Sequence, residues 1–334
     1  MTSPWAGRRV LLVDALEHDP TGHATLRRRA LERLGCVVHG LDLRPRKGLL
    51  QRWRAGTAGT RLSQALLQHQ PDLVLVIDAS FIPASLLLEL KREARAAWAA
   101  WFIGDGCSLE DVESVGAAYD ALFVPGSDLL ERVRGPSMPP VLHLAPGCDP
   151  SVHRPVPARD QFRANVVFAG AATPHREQLL TGLVEFGLAI WGPGWRGTGL
   201  RDYCRGEETR QDDFVRAYSG ATVAVNVHRE NGHGTATGCN HRLFEVAAIG
   251  IPQVVDRRVD LDLHFLPEQE LLTFTSTAEL RAAVKAVLDD APGAERLAHA
   301  ARQRVLAEHT YMHRMTSILS RAFSPRPPAI PGRG

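Results

Sequence analysis

The chain has 334 residues, 44% of them hydrophobic and 23% charged. At about 150 residues per domain this supports two ordinary globular cores. Lys/Arg and Asp/Glu balance at 17 against 17 in residues 1–150 and 22 against 20 in 151–334. Neither half is the polycation that general nucleic-acid binding requires, so that class is set aside. The first apolar run, five or six residues after a basic pair, is too short for a signal h-region or a membrane span, which points to a cytoplasmic protein with no stable membrane insertion. The five cysteines are scattered and form no CxxC, so reduced thiols are expected, with neither a disulfide framework nor a zinc ribbon. Only Lys47, Lys91 and Lys285 are lysines among 39 basic residues, leaving few candidates for Schiff-base chemistry, and the Ala- and Arg-rich remainder fits a high-GC bacterial coding bias.

In chain order, Arg9–Val13 reads as a strand and Ala24–Leu34 as a helix with apolar residues at helical spacing. Gly35 stops that helix, and Cys36–Leu43 reads as a second strand. Further apolar runs end at Asp78, Asp105, Val124 and Leu144, each separated from the next by helical segments, which is the pattern of a parallel doubly wound sheet. Ser108 and Asp111 read as the capping box of the helix after the Asp105 run. Ala145–Asp160 holds four prolines in sixteen residues and reads as a hinge. A second alternation follows, with strands expected at 165–170, 188–191, 222–227, 252–256 and 272–274. The expected organisation is therefore α/β, with Rossmann-like domains over 1–150 and 151–308, a terminal helix over 309–323, and a fraying tail over 324–334.

The segment from Thr222 to Asp256 carries the most chemistry. A strand ending near Val227 leads into a loop with Gly232, Gly234 and Gly238, and a short helix opens near Asn240 and closes at Gly250. Glycines admit close backbone approach, and the N–H groups at a helix amino-terminus favour anions, so this is a natural diphosphate seat. Glu245, about one and a half turns into the helix, is placed to accept hydrogen bonds from the vicinal hydroxyls of a ribose. A competing reading takes Gly232, Gly234 and Gly238 as a dinucleotide fingerprint with Asp256 on the ribose, which makes an NAD(P)-dependent oxidoreductase. Against it, four residues separate Val227 from Gly232, and the unit comes late in its domain.

The string from Asn240 to Asp256, NHRLFEVAAIGIPQVVD, resembles the R-x-F-E-x-x-A-x-G-x-P signature of the CgeB-like glycosyltransferases, a branch related to GT4-type enzymes with the GT-B fold. Val167–Gly170 with Arg176, Trp191–Trp195, Val223–His228, Tyr119–Val124, Gly147–Pro150 and His309–Arg314 are similar to further family segments, in the expected order. The resemblance implies metal-independent transfer of a sugar from a nucleotide-diphosphate donor, with no other cofactor, in a cleft between two domains with facing parallel sheets. On it, Glu245 binds the ribose, Arg176 neutralises the diphosphate, and Gly234, Thr237, Asn240 and Arg242 surround the phosphates and donor sugar. His228 and Trp195 complete the donor side. GT4 enzymes often carry a second glutamate eight positions earlier, where this chain has Thr237, so donor sugar and stereochemical course stay open. A nucleotide-sugar-binding module without turnover is an alternative on the same ground.

On the acceptor side, Asp105 ends a predicted strand, where open α/β sheets place ligand groups, and is the candidate for orienting or deprotonating a hydroxyl. His18 and His23, in the first strand-to-helix loop, are candidates for binding the acceptor. No set of residues has metal-ligand spacing.

Overall fold

The computed structural model describes residues 3–16, 19–43, 55–103, 107–133, 135, 137–207, 211–229 and 237–324. The first sheet comprises β1 (Arg9–Val13), β2 (Val37–Leu41), β3 (Leu73–Ile77), β4 (Ala97–Trp101), β5 (Ala121–Val124) and β6 (Val141–His143). Its helices are α1 (His23–Arg33), α2 (Ala55–His69), α3 (Ala84–Glu93), α4 (Leu109–Gly116) and α5 (Ser127–Arg132). The second sheet comprises β7 (Ala164–Ala169), β8 (Leu188–Trp191), β9 (Cys204–Gly206), β10 (Ala221–Asn226), β11 (Gln253–Asp256) and β12 (Leu272–Phe274). Around it lie α6 (Pro174–Thr181), α7 (Gln211–Ser219), α8 (His241–Ile249), α9 (Thr277–Asp289) and α10 (Ala291–Glu308); α11 (Tyr311–Ala322) ends the described chain.

Both sheets are wholly parallel, in the orders β2-β1-β3-β4-β5-β6 and β12-β11-β10-β7-β8-β9. Parallel sheets are covered on both faces, and the central strands accordingly read as unbroken apolar runs: Leu73–Ile77 is buried throughout. Every strand expected from the sequence is present. The unexpected one, β9, is a three-residue edge strand, Cys-Arg-Gly, whose composition carries no apolar signal. The Ser108 and Asp111 capping box also forms, with Ser108 Oγ accepting from the Asp111 N–H at 3.1 Å and Asp111 Oδ2 from the Ser108 N–H at 3.0 Å.

The chain crosses between the domains twice. After the proline-rich hinge leaves the first domain, α11 returns to it, and Tyr311, Met315, Ile318 and Leu319 pack with Val10, Leu12, Leu26 and Leu31 under the first sheet. The two crossings are tied together. The Cys148 N–H donates to the His309 carbonyl at 3.1 Å, and the Tyr311 N–H to the Cys148 carbonyl at 2.7 Å. Arg314, buried beside them, donates to the carbonyls of Ala145 (2.7 Å), Pro146 (2.8 and 3.0 Å) and Glu308 (3.1 Å), and to His309 Nδ1 (2.9 Å). Burial pulls its guanidinium down to about 10, a measure of how little anionic charge stands nearby. The planar fork of donors, rather than an ion pair, holds it.

Replacing Arg314 with Leu leaves several buried carbonyls without a donor, and an unsatisfied buried polar group costs about 1–3 kcal/mol. Arg314→Leu is therefore expected to lower the unfolding free energy by about 3–5 kcal/mol, read by urea denaturation. Arg314→Lys, with a point charge in place of the fork, should recover only part of the loss.

Candidate functional site

In open α/β sheets ligands bind beyond the carboxyl ends of the strands, where the strand order reverses. That crevice lies between β1 and β3 in the first domain and between β7 and β10 in the second. The two strand-end edges face each other, since residues following β1, β5 and β6 touch residues following β10 and β11, as detailed below.

In the second domain the crevice is bridged by Arg176. From the first turn of α6 it donates to the Ala171 carbonyl beyond β7 (3.0 Å) and to the Val227 carbonyl beyond β10 (2.7 Å), and its guanidinium lies 5.4 Å from the Phe168 ring centroid. The neighbouring loops run in contact: a Cβ at Gly192 (φ +131°) would come within 2.3 Å of the Gly170 carbonyl oxygen, so only glycine fits there. Trp195, expected at the donor, is instead fully buried in the core with its Nε1–H donating to the Gly170 carbonyl at 2.7 Å. With no exposed surface it supports the loop and presents nothing to a ligand.

Between β10 and α8 the polar groups form one network. Asn240 caps α8, its Oδ1 accepting from the Leu243 N–H at 3.1 Å, and exchanges side-chain hydrogen bonds with Asn226. Gly250 closes the helix in the left-handed conformation (φ +82°), as its position in the sequence indicates. His228 Nε2 receives the Asn240 N–H at 3.1 Å. A backbone N–H only donates, so the ring proton sits on Nδ1, which faces Asp256 Oδ1 at 2.6 Å. Asp256 also accepts the His228 N–H at 2.9 Å. Burial raises its carboxyl, and the His228 contacts outweigh this and hold it below the usual range. The carboxylate that a dinucleotide reading assigns to the ribose is thus already taken.

Glu245 lies on the next turn, 3% exposed. Its Oε1 is 2.7 Å from His23 Nε2, on the first residue of α1 in the other domain, and 3.6 Å from His153 Nε2 in the hinge. His23 in turn stacks on His241, the first residue of α8, with centroids 4.6 Å apart and planes 6° from parallel. Burial alone raises the Glu245 carboxyl, but His23, His153 and His241 together hold it far below the ordinary range, so it is an anion. Burial, and then His23, push the His241 imidazole well down, against the pull of Glu245. Arg242, the next residue, lies with its guanidinium 5.7 Å from the Phe214 ring centroid, and its Nε has no hydrogen-bond partner among the described residues.

A second contact spans the domains. Asp260, 1% exposed, accepts the Ser127 N–H at 2.8 Å and its hydroxyl at 2.5 Å, and lies 3.7 Å from His143 Nε2. Thr237 Oγ1 sits 2.9 Å from Asp260 Oδ2 and 2.8 Å from Asp128 Oδ1. Thr237 therefore closes the interface. Of the other expected site residues, the structure brings Glu245, Asn240, His228, Arg242 and Arg176 to the second crevice. It brings His23 to Glu245, and so to the donor side of the expected site. Asp105, Gly234 and His18 lie outside the described residues. Asp260, Ser127, Asp128, His153 and His241 were not anticipated. Among the described residues no group of three or more His, Cys, Asp or Glu side chains is arranged to hold a metal ion, and no helix is long and apolar enough to cross a membrane.

A family model described as "Glycosyl transferase-like" matches residues 175–320, the stretch that contains the second crevice. No curated protein matches the chain. Among solved structures, a sucrose-phosphate synthase from Thermosynechococcus elongatus superposes with a TM-score of 0.70 at 15% identity, covering 95% of this chain and 99% of that one. An α-glucosyltransferase in complex with UDP-glucose and DNA containing an abasic site gives 0.70 at 10% identity, covering 96% and 100%. Anabaena Alr3699/HepE in complex with UDP and glucose gives 0.61 at 12% identity, covering 93% and 99%. The fold is thus the GT-B arrangement of two Rossmann-like domains.

Because the folded Glu245 carboxyl lies below its unfolded value, its contribution to stability is complete above the unfolded carboxyl range near pH 4.3 and is lost as pH falls through that range toward the folded value. Glu245→Gln removes a buried charge from its partners and is expected to cost about 3 kcal/mol at pH 7. Urea melts at a series of pH values should show the difference between wild type and variant shrinking below about pH 4.

Proposed function

We propose that this protein is a glycosyltransferase of the CgeB-like branch, moving a sugar from a nucleotide-diphosphate donor to an acceptor hydroxyl without a metal or other cofactor. On this reading the diphosphate lies at the amino-terminus of α8 and the ribose hydroxyls take the place of His23 on Glu245. The observation that carries the reading is the Glu245 carboxylate, kept ionised beside the strand-order reversal of the second domain and met there by a side chain of the first. The glycosyl transferase-like match over this stretch supports it, as do fold relatives whose complexes contain UDP or UDP-glucose.

The chemistry follows from charge. As the bond between the sugar C1 and the diphosphate breaks, negative charge gathers on the departing oxygen. Arg176, Arg242 and the first N–H groups of α8 favour that charge more than they favour the intact donor. A second reading, nucleotide-sugar binding without turnover, draws on Thr237: the hydroxyl at the position of the family's earlier glutamate is engaged with Asp128 and Asp260.

Calorimetric titration with UDP, GDP, dTDP and NAD separates the readings. A nucleoside diphosphate is expected to bind, UDP first among them, and Glu245→Gln to weaken it by about 10- to 100-fold, the equivalent of about 1.5–3 kcal/mol for a hydrogen bond to a charged group. Binding of NAD alone would falsify the proposal. Binding of UDP-glucose with no release of UDP under any acceptor condition would select the non-catalytic module.

A further inference from the structure

His23 stands where the two domains meet over the proposed donor seat, and it touches two side chains of that seat at once. Its Nε2 lies 2.7 Å from Glu245 Oε1. A carboxylate only accepts, so Nε2 carries the ring proton and donates it. The His23 ring also lies flat on that of His241, the first residue of α8, with centroids 4.6 Å apart and planes 6° from parallel. His241 Nε2 is shielded from solvent and has no hydrogen-bond partner among the described residues. One imidazole of the first domain thus covers a carboxylate and a second imidazole of the other domain.

The cover is on the solvent side. The His23 side chain is 32% exposed against 4% for Glu245, while His153, 3.6 Å from the same Oε1, is fully buried. Glu245 therefore has an inner partner, fixed in the hinge, and an outer one that solvent reaches. When His23 withdraws, the inner partner remains, and the carboxylate keeps part of its compensation. Gly22, the N-cap of α1, gives the first turn no side-chain hydrogen bond, so His23 can turn away without breaking a cap. The vicinal hydroxyls of a ribose bring two donors where the imidazole brings one, which offsets the loss of His23 at the carboxylate. Withdrawal also uncovers the His241 ring at the end of α8 where the diphosphate is proposed to lie.

We infer that His23 is an autoinhibitory plug of the donor site, an inference that rests on the glycosyltransferase reading above. A nucleoside diphosphate binds only in molecules whose His23 has left Glu245, so the apparent affinity falls short of the intrinsic one in proportion to the fraction of such molecules. The exchange is local: it breaks the His23 contacts and does not require the Asp260 contact with Ser127 to open.

Calorimetric titration of UDP into wild type, His23→Ala and Ser127→Ala tests this, together with the unfolding midpoint of each protein before nucleotide is added. His23→Ala removes the plug and a partner of Glu245 in one step. Expected are a UDP affinity raised by about tenfold and a lowered midpoint, two changes of opposite sign that a merely structural role does not give. Ser127→Ala loosens the other contact between the domains and is expected to leave UDP affinity within about twofold, since it does not shift the His23 equilibrium. His23→Ser, which leaves room for water beside Glu245, is expected to act as His23→Ala does and replaces it if the alanine variant does not fold. The plug is overturned if the His23 variant binds UDP no more tightly than wild type; weaker binding makes His23 a ligand contact instead. It is overturned equally if Ser127→Ala tightens UDP as much as His23→Ala, because general opening of the domains then limits binding. Each of these results leaves nucleotide binding by the wild type standing. If neither wild type nor the His23 variant binds UDP, GDP or dTDP, the underlying reading falls with the plug.

Discussion

A carboxylate stays ionised inside a protein only where partners replace the water it has lost. Glu245 has such partners because three separate stretches of chain converge on it: His23 from the first domain, His153 from the hinge and His241 from its own helix. Take away these segments together and the group becomes an uncompensated buried charge. The interface is therefore specified at this point by electrostatics, with the hydrophobic clusters supplying most of the cohesion on either side.

That convergence depends on how the domains are joined. A single flexible linker would let the sheets face each other at many angles. Two crossings, locked by Cys148 against His309 and Tyr311 and by the Arg314 fork, restrict relative motion to what these bonds allow. The α11 helix anchors the second crossing by burying its apolar face under the first sheet. Asp260 with Ser127 and Thr237 supplies a second polar contact between the domains, made of short side chains.

Much of this architecture is legible in the sequence for a physical reason. Strands buried on both faces must be continuously apolar, so Leu73–Ile77 and Ala121–Val124 announce themselves, and α8 is framed by an Asn cap and a terminal glycine. Glu245 is legible too, since a carboxylate among Phe244, Val246 and Ala247 demands compensation. What supplies it is not legible: His23 is 222 positions away and reads locally as a loop residue. A separation of 133 positions likewise hides Asp260, which looks like one acid among several until Ser127 is brought to it. Trp195 misleads in the opposite sense: the resemblance assigns it to the donor side, whereas close packing of the Gly170 and Gly192 loops leaves it no surface. β9 has too few residues to carry a pattern.

The two crevices differ chemically in a way that bears on the proposed transfer. On the second-domain side the bridging group is a guanidinium, Arg176, followed by the amino-terminus of α8, and both favour an anion. On the first-domain side the strands end in carboxylates, Asp14 paired with Arg27 and Asp78 accepting the Ile103 N–H. On the proposed reading, a departing diphosphate is favoured by the first of these environments. That contrast agrees with the proposed placement of the donor on the second-domain side. It is set by which residue types stand at the ends of β1, β3, β7 and β10, independent of how the intervening loops are built.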